Sequence, residues 1–227
     1  MLSSSDNDEQ VSEEKPAETI FAEAKSALDN GNASRAATLF DEVERLYPTS
    51  QWAKRAVIMS AFAAYEGAQY DKAILAASRF LDFYPSDKDA PYAQYLIAVS
   101  HYDQIVDVGR DQRRTRQAMQ ALRELIARYP DSEYAREATL KLDLTMDHLA
   151  GKEMAVGRQY LKQGAYIGAI NRFRTVVETY QTTRHVEEAL HRLVEANLAL
   201  GLTGEAQSAA AVLGHNFPGS DWYADSY

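Results

Sequence analysis

The chain has 227 residues, 46% of them apolar, a net charge of −9 and no cysteine. The acidic balance argues against nucleic acid, whose binding requires a basic stripe, and the missing thiol excludes disulfides and thiolate metal sites. No apolar run approaches the roughly 18 residues of a membrane-spanning helix. The chain begins with Met1-Leu2 and a Ser/Asp/Glu run, which reads as a start just after a removed segment. Residues 1–16 hold five acids and one lysine and almost no apolar side chain, so they cannot repay the entropy of ordering and are expected to form a disordered acidic tether.

From Ala17 the pattern changes. An alanine-rich apolar run reaches Gly31 between two asparagines, a helix end and tight turn. A second run stops at Tyr47-Pro48, because proline has no N–H with which to continue a helix. The pair recurs. Stops follow at Pro85, Pro130 and Pro218, with Tyr180-Gln181 where a further Tyr-Pro is due. Gly31 precedes its stop by 17 residues, Gly67 by 18, Gly164 by 17 and Gly201 by 17. On this count the second repeat carries one extra turn residue. Ala36, Ala73, Ala169 and Ala206 follow the glycines, and Phe40, Ala77, Phe173 and Ala210 come one helical turn later. A small residue lets paired helices approach, and its neighbour one turn on fills the space beside it.

The third repeat opens at Asp87 with an aromatic first helix carrying Tyr92, Tyr95 and Tyr102. A long charged loop and helix start, with Arg110, Arg113, Arg114 and Arg116, follows Gly109. The fourth is the odd one: Pro130 to Gly164 is 34 residues, against 19 from Pro48 to Gly67. This predicts one helix of about 30 residues, roughly 45 Å long, with Ser132 as N-cap. Gly151 and Gly157 in its second half mark either a bend or the close approach of another helix. The ending GSDWYADSY either packs back as a cap or starts a further helix.

No catalytic site is expected. The five histidines show no i, i+4 pair, and neither HExxH, a phosphate-binding glycine loop nor a nucleophile elbow occurs. No metal or cofactor is expected either. The expectation is binding.

The order of glycine, alanine, aromatic and proline resembles the tetratricopeptide repeat. The resemblance implies an all-α, right-handed solenoid of five helix pairs, about ten helices, with the long helix opening repeat four. Counting each glycine as a fixed position of its repeat, and counting the third repeat back from Pro130 through its insertion, puts Phe21, Lys25, Lys54, Tyr65, Tyr92, Tyr95 and Tyr102 on the concave side, as a peptide groove. Packing between helices is the other use for these tyrosines. The expected division is 17–134 for repeats one to three with the groove, and 135–227 for the long helix with repeats four and five as the docking part. Cations gather about the third and fourth repeats at Arg113, Arg114, Arg158, Lys162, Arg172 and Arg174, near Tyr166, and suit an acidic partner.

The succession ALDNGNASRAATLFDEVERLYPTSQWAKRA, the charged insertion before Gln117, the segment Tyr129-Pro130-Asp131-Ser132-Glu133-Tyr134-Ala135 and the long helix together resemble the BamD family of outer-membrane assembly lipoproteins over about residues 17–217. The resemblance implies a periplasmic protein anchored to the outer membrane by lipid on an N-terminal cysteine, which this sequence lacks. It implies docking of the BamA periplasmic domain on the third and fourth repeats, contact with other assembly lipoproteins, and recognition of unfolded outer-membrane protein peptides. Two alternatives are a periplasmic repeat adaptor of envelope constriction and a holdase chaperone.

Overall fold

In the computed structural model, residues 15–107 and 112–224 are described. The helices are α1 (Ala17–Asp29), α2 (Ala33–Leu46), α3 (Ala53–Glu66), α4 (Tyr70–Phe83), α5 (Ala90–Asp103), α6 (Gln112–Arg128), α7 (Glu133–Lys162), α8 (Tyr166–Thr179), α9 (Val186–Ala199), α10 (Thr203–Asn216) and the short α11 (Asp221–Ala224). They pack as consecutive antiparallel pairs, the all-α tetratricopeptide arrangement. Of the acidic segment 1–16, residues 1–14 lie outside the described residues. Lys15 and Pro16 belong to the fold: the Tyr47 hydroxyl donates to the Lys15 carbonyl at 2.8 Å, and Lys15 Nζ meets Glu23 at 2.6 Å. Arg110 and Tyr227 also lie outside.

Two backbone devices, each repeated along the chain, produce the pairing. The first joins the helices of a pair. Gly31 N–H donates to the Leu28 carbonyl and Asn32 N–H to the Ala27 carbonyl, which together satisfy carbonyls that the helix end leaves open. The same two bonds recur at Gly164-Ala165 and Gly201-Leu202. The central residue is left-handed each time, with φ of 76°, 72° and 75° at Gly31, Gly164 and Gly201. In the second repeat the same bonds fall on Ala68 and Gln69, and Ala68, not Gly67, has the positive φ of 54°. Ala68 to Pro85 is 17 residues, so the repeat carries no extra turn residue. Its glycine stands one place early, where the N-terminus of α2 approaches: a β-carbon there would sit 3.5 Å from Ala33 Cβ.

The second device joins successive pairs. Tyr47, Tyr84, Tyr129, Tyr180 and Phe217 each accept a hydrogen bond at their carbonyl from the N–H three residues on, at 3.0–3.1 Å. This is a β-turn for which proline at the second place is preset. Gln181 makes it without proline, so the punctuation survives where the residue does not.

The chain divides into two compact units, 1–100 and 101–227, which meet inside α5; the functional division expected from the sequence lies at residue 134. In the first unit Ala24, Ala36, Phe40, Ala56 and Ala73 form one cluster, and Val57, Ala77, Phe80, Ala93 and Leu96 a second. In the second unit Met154, Ala169, Phe173, Val176, Ala189 and Leu193 pack together. The alanines that punctuate the sequence are buried, and Phe40, Phe80 and Phe173 are fully enclosed. Ala210, in the last full pair, is only half-buried.

Helix α7 runs unbroken for 30 residues from Ser132, whose hydroxyl accepts from Ala135 N–H. Both of its glycines are points of close approach and neither marks a break. A β-carbon on Gly157 would lie 2.5 Å from the Phe173 ring, and one on Gly151 3.2 Å from His185 Nε2. The Arg-rich stretch, expected as loop and helix start, is helical from residue 112 in α6, which places Arg113, Arg114 and Arg116 in its first turns. The terminal stretch packs back. Trp222 lies 5.2 Å from the His191 ring with the Arg192 guanidinium 5.2 Å over it, and Tyr223 covers Gly214.

Gly157→Ala is expected to cost about 1–3 kcal/mol, because the added methyl overpacks a fixed aromatic ring; an unchanged urea midpoint would show that α7 and α8 can slide apart freely. Ala68→Gly is expected to raise stability by roughly 0.5 kcal/mol, since relief of left-handed strain outweighs the added unfolded-state entropy. A lowered midpoint would contradict that assignment of the turn.

Candidate partner-binding surfaces

The seven groove positions separate by burial. Phe21 is corrected from groove to core: it is 6% exposed, with the rings of Phe40 at 5.1 Å and Trp52 at 4.9 Å and the Arg55 guanidinium 5.7 Å away. Lys25 is exposed. Lys54 is exposed too, but its ammonium lies 2.6 Å from Asp87 Oδ2. Asp87 also accepts from Asp89 N–H at 3.0 Å, so hydrogen bonding first to Lys54 and then to this backbone group holds its carboxyl below the usual range. The same contact with Asp87 raises Lys54. This pair ties the start of α3 to the turn before α5.

The tyrosines of the first unit form a half-exposed row. Tyr92 stacks on Tyr95 with centroids 6.3 Å apart and 21° between planes, and Phe62 lies 6.5 Å from Tyr92. Tyr65 lies 5.9 Å from Tyr70 and packs against both clusters of the unit. Each ring gives part of its surface to the interior and keeps part outside. Phe62 was not foreseen, although it stands three residues before Tyr65 on α3 and therefore on the same helical face. Tyr102 lies in the second unit, under the Lys141 ammonium at 4.6 Å.

In the second unit two of the predicted cations, Arg172 and Arg158, are paired with acids that the sequence did not single out. Arg172 Nη1 donates to Glu153 Oε2 at 3.0 Å, from α8 to α7. Hydrogen bonding to Glu153 is the main cause that raises the Arg172 guanidinium. The pair sits beside a close helix crossing, where Tyr160 lies over Gly168 at 3.0 Å from the β-carbon site. Arg158 Nη1 donates to both carboxylate oxygens of Glu188 on α9, at 3.0 and 2.8 Å. Lys162 and Arg174 are exposed and Tyr166 is half-buried. Arg113 and Arg114 are exposed at the start of α6, where Arg114 donates to the Gln104 carbonyl at 3.2 Å. Arginines in a first turn oppose the helix dipole, so α6 draws no stability from them there.

The acids missed by sequence reasoning carry a faint signal. Glu153 stands four residues before Gly157, one turn from the crossing, and Glu188 lies in the first turn of α9 beside Glu187. An acid one turn from a forced close approach is within reach of any cation on the opposing helix.

Among the described residues no group of three metal-ligating side chains comes together, and no helix is long and apolar enough to cross a membrane. The family model described as YfiO, outer membrane lipoprotein, matches residues 13–213. The outer membrane protein assembly factor BamD of Caulobacter vibrioides is 51% identical over 217 residues, covering 96% of this chain and 71% of its own. The BamD of Rickettsia prowazekii is 41% identical over 212 residues, 93% of this chain and 84% of its own. That of Neisseria meningitidis serogroup A is 35% identical over 232 residues, 98% of this chain and 87% of its own. With a family match over nearly the whole repeat array and the paired-helix fold that the repeats dictate, the chain belongs to the BamD family of outer membrane lipoproteins.

Proposed function

We propose that the chain is a scaffold of outer-membrane β-barrel assembly, which holds the periplasmic domain of BamA through its second unit, contacts other assembly lipoproteins and receives extended peptides of unfolded barrel proteins along the tyrosine row of its first unit. A general adaptor role follows from family and fold. The observation that carries the finer reading is the Arg172–Glu153 pair. It is partly exposed and set beside a tight helix crossing, which restrains the guanidinium while leaving part of it open to solvent. Arginine presents five donors in a rigid fork, so a carboxylate from a partner can share it with Glu153.

The internal pair shapes the test. Arg172→Glu sets two carboxylates against each other, and its effect alone confounds fold with contact. The double exchange Arg172→Glu with Glu153→Arg restores the internal ion pair in reverse. BamA affinity is expected to fall about thirtyfold or more in the single variant and to stay low in the double one, since truncating a shared charge contact costs about 2 kcal/mol or more. Recovery of affinity in the double variant, measured with helicity checked by circular dichroism, would reduce Arg172 to a structural residue.

For the first unit, Tyr92→Ala and Tyr95→Ala are each expected to weaken binding of a peptide with an aromatic C-terminus by roughly 1–2 kcal/mol. A stable double variant that keeps wild-type peptide affinity would leave both rings as packing residues.

A further inference from the structure

The second unit contains a cleft of about 710 Å³ between α6, α7 and the end of α8, within the size range of ligand sites. Nothing in the repeat pattern calls for it. One stripe of α6 lines it with Arg116, Met119 and Arg123, and α7 faces this stripe with Leu149 and Lys152. Tyr180 closes one end, at the turn where the chain replaces proline with Gln181. Met119 is buried and forms the floor, while Arg116, Arg123 and Lys152 are exposed on the rim. Arg116 and Arg123 are seven residues apart, two turns along one helix face, about 10 Å.

The electrostatics of the cleft oppose those of the chain. Net charge is −9 overall, yet three cations stand here against two acids, Glu124 and Glu153. Glu153 accepts from Arg172 at 3.0 Å and is paired in charge, while Glu124 accepts from the neutral Gln120 Nε2 at 2.9 Å on the exposed side of α6. Arg123 turns one nitrogen to the Met146 sulfur at 3.7 Å, a weak acceptor. The hydroxyl of Tyr180 lies within the field of three of these charges: burial and then Glu153 push it up, and Arg123 and Arg116 pull it down. An apolar floor under a cationic rim matches a ligand that is apolar at one point and anionic beside it.

We propose that this cleft is a binding site for an acidic peptide segment, which sets an aromatic or large aliphatic side chain against Met119, Leu149 and Tyr180 and a neighbouring carboxylate on Arg116 or Arg123. The occupant is a protein segment because the apolar floor gives a free polyanion nothing to bury. The inference rests on the adaptor reading above and adds to it a recognition chemistry and a place.

The test uses the full chain and a short fluorescent peptide bearing one phenylalanine between two glutamates, read by anisotropy. Saturable binding is expected, weakened about tenfold when the phenylalanine becomes alanine or the glutamates become glutamine, tenfold being about 1.4 kcal/mol. Arg123→Glu is expected to lower affinity by a similar factor, and so is Lys152→Glu, an exposed change on α7 that leaves the core untouched. Absence of saturable binding, unchanged affinity in both variants, or equally tight binding of polyglutamate would each overturn the proposal. BamA periplasmic-domain binding is measured in parallel. If wild type binds BamA but not the peptide, the cleft proposal fails and the adaptor reading stands; if it binds neither, both fail.

Discussion

The contact between Phe173 and the bare backbone at Gly157 sets the terms for the second unit. A β-carbon at Gly157 has no room under the ring, so α7 and α8 meet at backbone distance. Dispersion and burial of a fully enclosed phenylalanine then hold the crossing, an interaction worth about 3–5 kcal/mol when the ring is truncated. That closeness decides what lies one turn away. Glu153 precedes Gly157 by four residues and Arg172 precedes Phe173 by one, so the two charges are brought together because the helices are. The ion pair is thus a consequence of the packing and adds little of its own as a partly exposed contact. Its value lies in position: a guanidinium held still costs less entropy to bind than one on a mobile side chain.

Much of the fold was legible because two local chemistries repeat. Left-handed glycines and Tyr-Pro turns are backbone requirements, and they show in sequence wherever the usual residue meets them. The failures are as physical as the successes. At Ala68 the left-handed place is taken by a residue with a β-carbon, and the surrounding helices hold the strain, so the glycine count misplaced the turn by one. At residue 181 the turn forms without proline because its hydrogen bond needs only a carbonyl and an N–H. Ser132 and the 30-residue α7 were readable because a cap and an uninterrupted run are both local. Whether Gly151 and Gly157 bend the helix was not readable. The answer lies in His185 and Phe173, which are distant in sequence.

The candidate surfaces were less legible than the fold for a related reason. Repeat position fixes which way a side chain leaves its helix but not how much of it the neighbours cover. Phe21 leaves toward the expected groove face and is nonetheless enclosed by Phe40 and Trp52. Tyr92 and Tyr95 leave similarly and keep part of their rings outside. The difference is set by Trp52, which stands at the start of α3 and has no counterpart in the next repeat. The cations show the same limit. Arginine is visible in sequence, but the carboxylate that claims it is not: Arg158 and Arg172 are each committed to an acid on another helix. Charge counts along the chain therefore overstate how much of the second unit is available to an acidic partner.

Helix α11 shows how a repeat protein covers an apolar face with few residues. A stack of helix pairs buries each face against its neighbour, and α11 covers part of the face of α9 and α10. Tyr223 sits on Gly214, where a β-carbon would lie 2.5 Å from the ring, and Trp222 rests between His191 and Arg192. The cover is built on the principle used at Gly157, an aromatic ring laid on a glycine that gives it room. It is also incomplete. Leu198, Leu200 and Leu202 remain exposed where α9 turns into α10, beyond the reach of a four-residue helix. The two rings of α11 thus lie on the helix faces of α9 and α10, away from the apolar turn between them.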